Sequence, residues 1–188
     1  MKPILFNTEM VQAIMDGRKT VTRRAVKAPV LTKSRQPDKV SICGGMAKFI
    51  WSGPDTIGDF EIRLPHRIDD VLYVRETWQK NPYGSGWPYF YKAYPEQFDP
   101  VPEKWRPSIH MPREAARLFL RVKSVRVERL QDIDDDGVAA EGFEIGEPFD
   151  DLWDGTIKKS DIPIYGWNAN PWVWVIEFEM ISRKEAVE

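Results

Sequence analysis

Three stretches of this chain read as long strands and dominate what it can fold into: DVLYVRETW (70–78), LFLRVKSVRVERL (118–130) and WVWVIEFEMI (172–181). Each is rich in β-branched and aromatic residues with period-2 alternation, which suits a half-buried pleated surface. In the first, Leu72, Val74, Glu76 and Trp78 share one side; if that side is the core, Glu76 is buried and needs a partner. Residues 3–6 form a further short apolar run that can serve as a first strand. The segment from Thr8 to Met15 places Val11, Ile14 and Met15 at helical spacing, with Thr8 as N-cap and Gly17 just past the end. The chain then enters a second strand in which Thr20, Thr22 and Arg24 lie on one face and Val21 and Arg23 on the other.

The remaining segments are weaker in pattern. Residues 27–65, with Pro29, Pro37, Pro54 and Pro65 and the pair Gly44-Gly45, read as an irregular insertion containing strand-like pieces. Residues 79–112 are crowded with prolines and aromatics and read as a large loop or lid. A helical turn is expected at 113–116, and a compact helix over 132–142 with an acidic first turn and a terminal glycine. Repeated βα units are absent, so a doubly wound sheet is not expected. The expectation is a mainly β, α+β fold: one unit over 1–188, a small twisted β-barrel with two or three short helices and long insertions near 27–65 and 79–112.

With 42% hydrophobic residues over 188 positions the chain can bury a sizeable core, and no apolar run nears the roughly 18 residues that span a bilayer. MKPILFNTEM does not have the layout of a secretory signal, so a cytoplasmic, membrane-free protein is expected. A lone Cys43 with only His66 and His110 provides no zinc spacing, and neither a metal nor a cofactor is expected. The net charge of −2 excludes indiscriminate coating of nucleic acid. Charge is unevenly placed: residues 16–39 carry Arg18, Lys19, Arg23, Arg24, Lys27, Lys33, Arg35 and Lys39 against Asp16 and Asp38, whereas 132–154 carry ten acidic residues and no basic one.

No Walker loop, GxSxG, HExxH or GxGxxG occurs, which leaves Lys, Thr, Glu and Arg to carry chemistry. In DGRKTVTRR (16–24), Lys19 stands among Arg18, Arg23 and Arg24, whose like charge favours a lowered lysine pKa. A base of that kind can activate a threonine hydroxyl; the plain alternative is a solvated turn. Glu141 ends the expected helix at 132–142, a poor place for a carboxylate with respect to the helix dipole unless a tertiary partner holds it. The aromatics Trp78, Trp87 and Trp105 can stack bases or simply pack a long loop. His110 reads as a hydrogen-bonded structural residue, and Asp134 to Asp136 as the solvated start of a helix.

These residues resemble the ASCH domain, a relative of the PUA RNA-binding fold, in a long, phage-type form. The short signature GxKxxExR is met by Gly17, Lys19 and Arg24, with Thr22 at the Glu position. The resemblance continues through VLYVRETW, KWRPSIHMPREAARL, VRVERLQDI, AAEGF and NPWVWVIEF, and omits 27–65 and 143–165. It implies a PUA-like barrel with a cleft between the first helix and the sheet. One branch of the family, an amidohydrolase of N4-acetylcytidine, carries GRKT, an aliphatic residue and Thr, matched here by GRKTVT. That branch implies Thr22 as nucleophile, Lys19 as its base and Glu141 as the group that protonates or orients the departing amine. Arg23, Arg24, Glu76 and Trp78 would bind substrate, with Arg24 holding the oxyanion or steadying Glu76. Other family members are RNA binders or ribonucleases, for which the basic corner would contact phosphates. The implied partner is a modified nucleoside or RNA, and protein partners stay open.

Overall fold

The long strands at 118–130 and 172–181 form an antiparallel pair, and the rest of the molecule is arranged around it. The structure is a computed structural model that describes residues 1–28, 31, 37–52, 58–83, 86–144 and 146–187. Strands β1 (Lys2–Leu5), β2 (Val21–Ala25), β6 (Val71–Arg75), β9 (Phe119–Arg129) and β10 (Trp172–Ile181) make one sheet in the order β1-β6-β9-β10-β2. The β1–β6 pair is parallel and the others are antiparallel. β3 (Lys39–Cys43), β4 (Met46–Trp51) and β5 (Gly58–Arg63) form a three-stranded antiparallel meander, and β7 (Trp78–Lys80) pairs with β8 (Tyr89–Tyr91). Among the described residues five short α-helices accompany the sheets: α1 (Thr8–Met15), α2 (Asp135–Ala140), α3 (Phe149–Thr156), α4 (Ile162–Tyr165) and α5 (Arg183–Val187). The fold is thus mixed α+β and rich in sheet. None of the helices among the described residues is long and apolar enough to cross a membrane.

A closed barrel does not form among the described residues. β1 and β2 are the two ends of the five-stranded sheet and share no ladder. α1 separates them in sequence, and a side chain bridges them instead, as Arg24 Nη2 donates to Leu5 O at 2.7 Å. The 27–65 region is also more regular than expected, because its apolar residues alternate: Ala47, Phe49 and Trp51 are buried on one face of β4 and join the main core. Pro29, Pro54, Lys33 and Arg35 lie outside the described residues. The strand expected over 70–78 stops at Arg75 and resumes at Trp78, yet its inward face is as anticipated, with Leu72, Val74, Glu76 and Trp78 all buried. Within 79–112, the β7–β8 ladder and 3-10 turns at Pro95–Gln97 and Ser108–His110 are more order than a loop implies.

Burial divides the core in three. The largest cluster lies on one face of the main sheet and includes Val11 and Ile14 from α1, Leu72, Val74, Leu120, Val122, Ile176 and Phe178. On the other face, Val21, Val173 and Val175 pack with Leu130, Phe149 and Trp153, so α3 covers the end of the sheet where β2 lies. A third cluster, including Trp78, Phe90, Tyr91 and Met111, anchors the 79–112 region. β10 is buried on both faces up to Ile176, which explains its near-continuous apolar run. On the β2 side the Phe178 N–H, two residues beyond Ile176, donates to Thr20 O at 2.9 Å and fixes the chain as it enters β2.

Candidate functional site

α1 begins because the Asn7 side chain, one residue before the expected cap, accepts from Met10 N at 2.8 Å. It ends at Gly17, whose φ of +76° turns the chain back towards the sheet. Lys19 and Thr20 then cross beneath the end of α2. Thr20 N donates to Ala140 O at 2.9 Å, and Lys19 and Glu141 form an isolated antiparallel bridge. Gly142 makes this approach possible: its φ is +92°, and a Cβ there would lie 2.8 Å from Ala13 Cβ and 3.0 Å from Lys19 Cβ.

β2 is an edge strand, so its outward backbone groups need partners other than a neighbouring strand. Two buried side chains supply them. Lys19 Nζ donates to Val21 O at 2.8 Å, and Glu141 Oε1 accepts from Arg23 N at 2.6 Å. The same two side chains meet at 2.5 Å, Lys19 Nζ to Glu141 Oε2, while Nζ also donates to Glu141 O at 2.9 Å. Lys19 is 2% exposed and Glu141 4% exposed, so the pair is shielded from water. Burial pushes the Lys19 ammonium below its ordinary value, against the opposing pull of Glu141. The misplaced helix-end carboxylate therefore has a tertiary reason: it caps the edge of β2.

Arg23 is buried too, and its charge is spent internally. Its Nε and Nη2 donate to Glu128 Oε1 at 3.0 and 2.8 Å, and Nη1 lies 3.4 Å from Glu141 Oε1. Glu128 in turn accepts from Arg126 Nε at 3.2 Å. Gly137 makes room for this guanidinium, since a Cβ there would stand 3.0 Å from Arg23 Nη2. Arg24 is exposed and lies over the Phe6 ring, 5.4 Å from its centre. Arg18 is held by Gly142 O and Asp16.

Thr22 pairs with Ile176 across the ladder and is 2% exposed. Among the described residues its hydroxyl takes no protein partner, and it is not one of the fully buried unpaired polar atoms, which are His66 Nδ1 and Trp78 Nε1. It lines a cavity of about 30 Å³ together with Glu141, Met10, Phe143 and Leu152, enough for a single water. Beyond it is a cavity of about 540 Å³ bordered by the same Glu141, Met10, Phe143 and Leu152, and by Glu9, Arg18, Glu144 and Glu147. That volume is within the range of small-molecule sites.

Lys19, Arg23 and Glu141 thus meet directly, whereas Thr22 and Arg24 share a small cavity with Glu141 and no hydrogen bond joins Thr22 to Lys19. Glu76 and Trp78 are not part of this corner. The partner of Glu76 is Arg117, which donates through Nε and Nη2 to its two oxygens, each at 2.9 Å; Arg24 does not steady it. Burial raises the Glu76 carboxyl above its ordinary value in spite of Arg117. Arg117 stacks 4.1 Å from the centre of the Tyr91 ring, whose hydroxyl donates to Ala115 O, and burial pushes that phenol up to about 12. Trp78 belongs to the third cluster, beneath the Arg106 guanidinium. Sequence reasoning missed Glu128 and the wall formed by Met10, Phe143 and Leu152. Strand alternation places Glu128 on a face with Arg126, but nothing in the chain announces the register that sets it against Arg23.

No family model and no curated protein matches the chain. Among solved structures, it is similar to the crystal structure of protein EF3133 from Enterococcus faecalis V583, described as DUF984, at 9% identity and a TM-score of 0.45, covering 94% of this chain and 71% of that one.

Proposed function

We propose that the chain is an ASCH-type protein whose Lys19–Thr22–Glu141 corner hydrolyses a small acylated amide of the N4-acetylcytidine kind. The observation that carries the reading is a threonine hydroxyl without a protein partner among the described residues, Thr22, lining one small cavity with a carboxylate that holds a lysine at 2.5 Å. The Lys19 ammonium commits all three protons, to Val21 O, Glu141 O and Glu141 Oε2, so it accepts none. Transfer of one of these protons to Glu141 would leave a neutral amine able to act as base and an acid able to protonate a leaving group. The amine then takes the Thr22 proton as Thr22 Oγ1 attacks the acyl carbon, and the Glu141 acid protonates the departing amine nitrogen. The acyl group is left as a Thr22 ester. Water attacks that ester with Glu141 as base, and the Lys19 ammonium returns a proton to Thr22 Oγ1, which restores the neutral pair.

The leaving base would occupy the larger cavity, and the acyl group would reach Thr22 past Met10, Phe143 and Leu152. Contact of this corner with RNA phosphates is the poorer reading, because Arg23 is consumed by Glu128 and Glu141 and the cavity rim carries Glu9, Glu144 and Glu147. Release of acetate from N4-acetylcytidine by the purified protein tests the proposal. Folded protein at high concentration that releases none refutes it. Thr22→Val is the informative variant, since it removes only an unpartnered hydroxyl. Removal of Lys19 would break a buried pair, at about 3–5 kcal/mol, and confuse activity with stability.

A further inference from the structure

The 79–106 region holds a cavity that the Lys19 corner does not use. It is a groove of about 900 Å³, and three cations line it: Lys80, Lys104 and Arg106. None of the three has an ion-pair partner among the described residues, in contrast to Arg23 and Arg117, which are fully paired. Unpaired like charges on one groove repel one another, so their gathering raises the potential that an anionic ligand would lower. The walls are built rather than loose. Arg106 is bridged to Trp78 through both backbone groups, N to O at 2.8 Å and O from N at 3.1 Å, and its guanidinium lies 5.5 Å from the centre of the Trp78 ring. Gln79 Nε2 donates to Lys104 O at 3.1 Å, and the Asn81 side chain accepts from Tyr83 N and donates to Trp87 O.

Aromatic surface accompanies the charge. Tyr83, which lines the groove, is 59% exposed, and the neighbouring Trp87 is 75% exposed. Neither ring is needed to fill a core. Cations lining a groove together with exposed aromatic faces are the pattern that holds a nucleic-acid strand with its bases unpaired: backbone phosphates meet the cations and bases stack on the rings. The groove also carries one carboxylate, Glu103, unpaired among the described residues and able to accept from a 2′-hydroxyl. We propose that this groove binds a short segment of single-stranded RNA, independently of any chemistry at Thr22.

Three phosphate contacts on a single strand give a slope of about −2 in log affinity against log salt, so binding should fall about twentyfold between 50 and 200 mM salt. The experiment is fluorescence anisotropy of a labelled ten-residue oligouridine with the full chain. Lys80→Ala/Lys104→Ala is expected to weaken binding at least tenfold and flatten the salt slope by about 1.4. Tyr83→Ala is expected to weaken it at least about fivefold through lost stacking. Thr22→Val should leave binding unchanged, which separates this site from the hydrolytic corner. Unchanged affinity in the double variant overturns the groove as the site. A deoxythymidine ten-mer bound as tightly as the RNA overturns the assignment to RNA, and displacement of the oligonucleotide by an equal concentration of a glutamate-rich peptide overturns the nucleic-acid class. Absence of binding by the native chain at 50 mM salt overturns the proposal as a whole.

Discussion

Gly142→Ala tests whether the corner is held together by the close approach of α2 to Lys19. Two separate costs apply. The backbone sits at φ +92°, which a side chain adopts at about 1–2 kcal/mol. The added Cβ would also lie 2.8 Å from Ala13 Cβ and 3.0 Å from Lys19 Cβ. These atoms are not flexible ends: Ala13 belongs to α1, and Lys19 is bridged to Glu141, so either α1 or the entry to β2 must move. Overpacking of this kind costs about 1–3 kcal/mol. The sum is about 2–5 kcal/mol, or a fall of about 5–15 °C in Tm for a chain of this size. Gly17→Ala is the matched control, because Gly17 also has positive φ, +76°, but an added Cβ there would have nothing within 4 Å. It should lose only the backbone part, about 1 kcal/mol. Urea unfolding followed by circular dichroism gives both values, and equal losses in the two variants would refute the packing argument.

Glu76 provides a test by pH. Its folded carboxyl lies above the ordinary value, so the folded chain holds that proton more tightly than the unfolded one. Its contribution is therefore fully present below the unfolded value and is lost as pH rises through the folded value; the stability of the native chain relative to Glu76→Gln should shrink between about pH 4.5 and neutrality. Urea titrations of both proteins across that range check the sign, and a gap that widens with pH would oppose it. Leu152→Ala should join the cavity at Thr22 to its larger neighbour, since Leu152 borders both. The expected result is a higher kcat/KM for acyl groups bulkier than acetyl at a stability cost of about 2 kcal/mol or less for this half-buried side chain, read from acid release with acetyl and butyryl substrates.

Much of the frame was readable because strand period is a local property. The run 172–181 occupies β10 from end to end, and the alternation of 70–78 put Glu76 on the inward face. What was not readable was register and closure. Nothing in residues 2–25 says that α1 leaves β1 and β2 at opposite ends of an open sheet, and the barrel expectation failed there. α3 was missed because an acidic stretch after Pro148 has few helix signals, although Phe149 and Trp153 at i, i+4 spacing are its buried face. In the site, Lys19, Thr22 and Glu141 were singled out by motif and by the dipole misfit at Glu141. Their neighbours were not: Glu128 pairs with Arg23 through a ladder set by β10, and Arg117 pairs with Glu76 over a separation that local pattern does not encode.

The most direct measurement compares acetate release from N4-acetylcytidine by the native chain and by Thr22→Val, with urea midpoints recorded for both. Because the Thr22 hydroxyl has no protein partner among the described residues, the variant should unfold within about 0.5 kcal/mol of the native chain while its acetate release disappears. Acetate released equally by both proteins, or by neither while both remain folded, would contradict a Thr22-centred hydrolase.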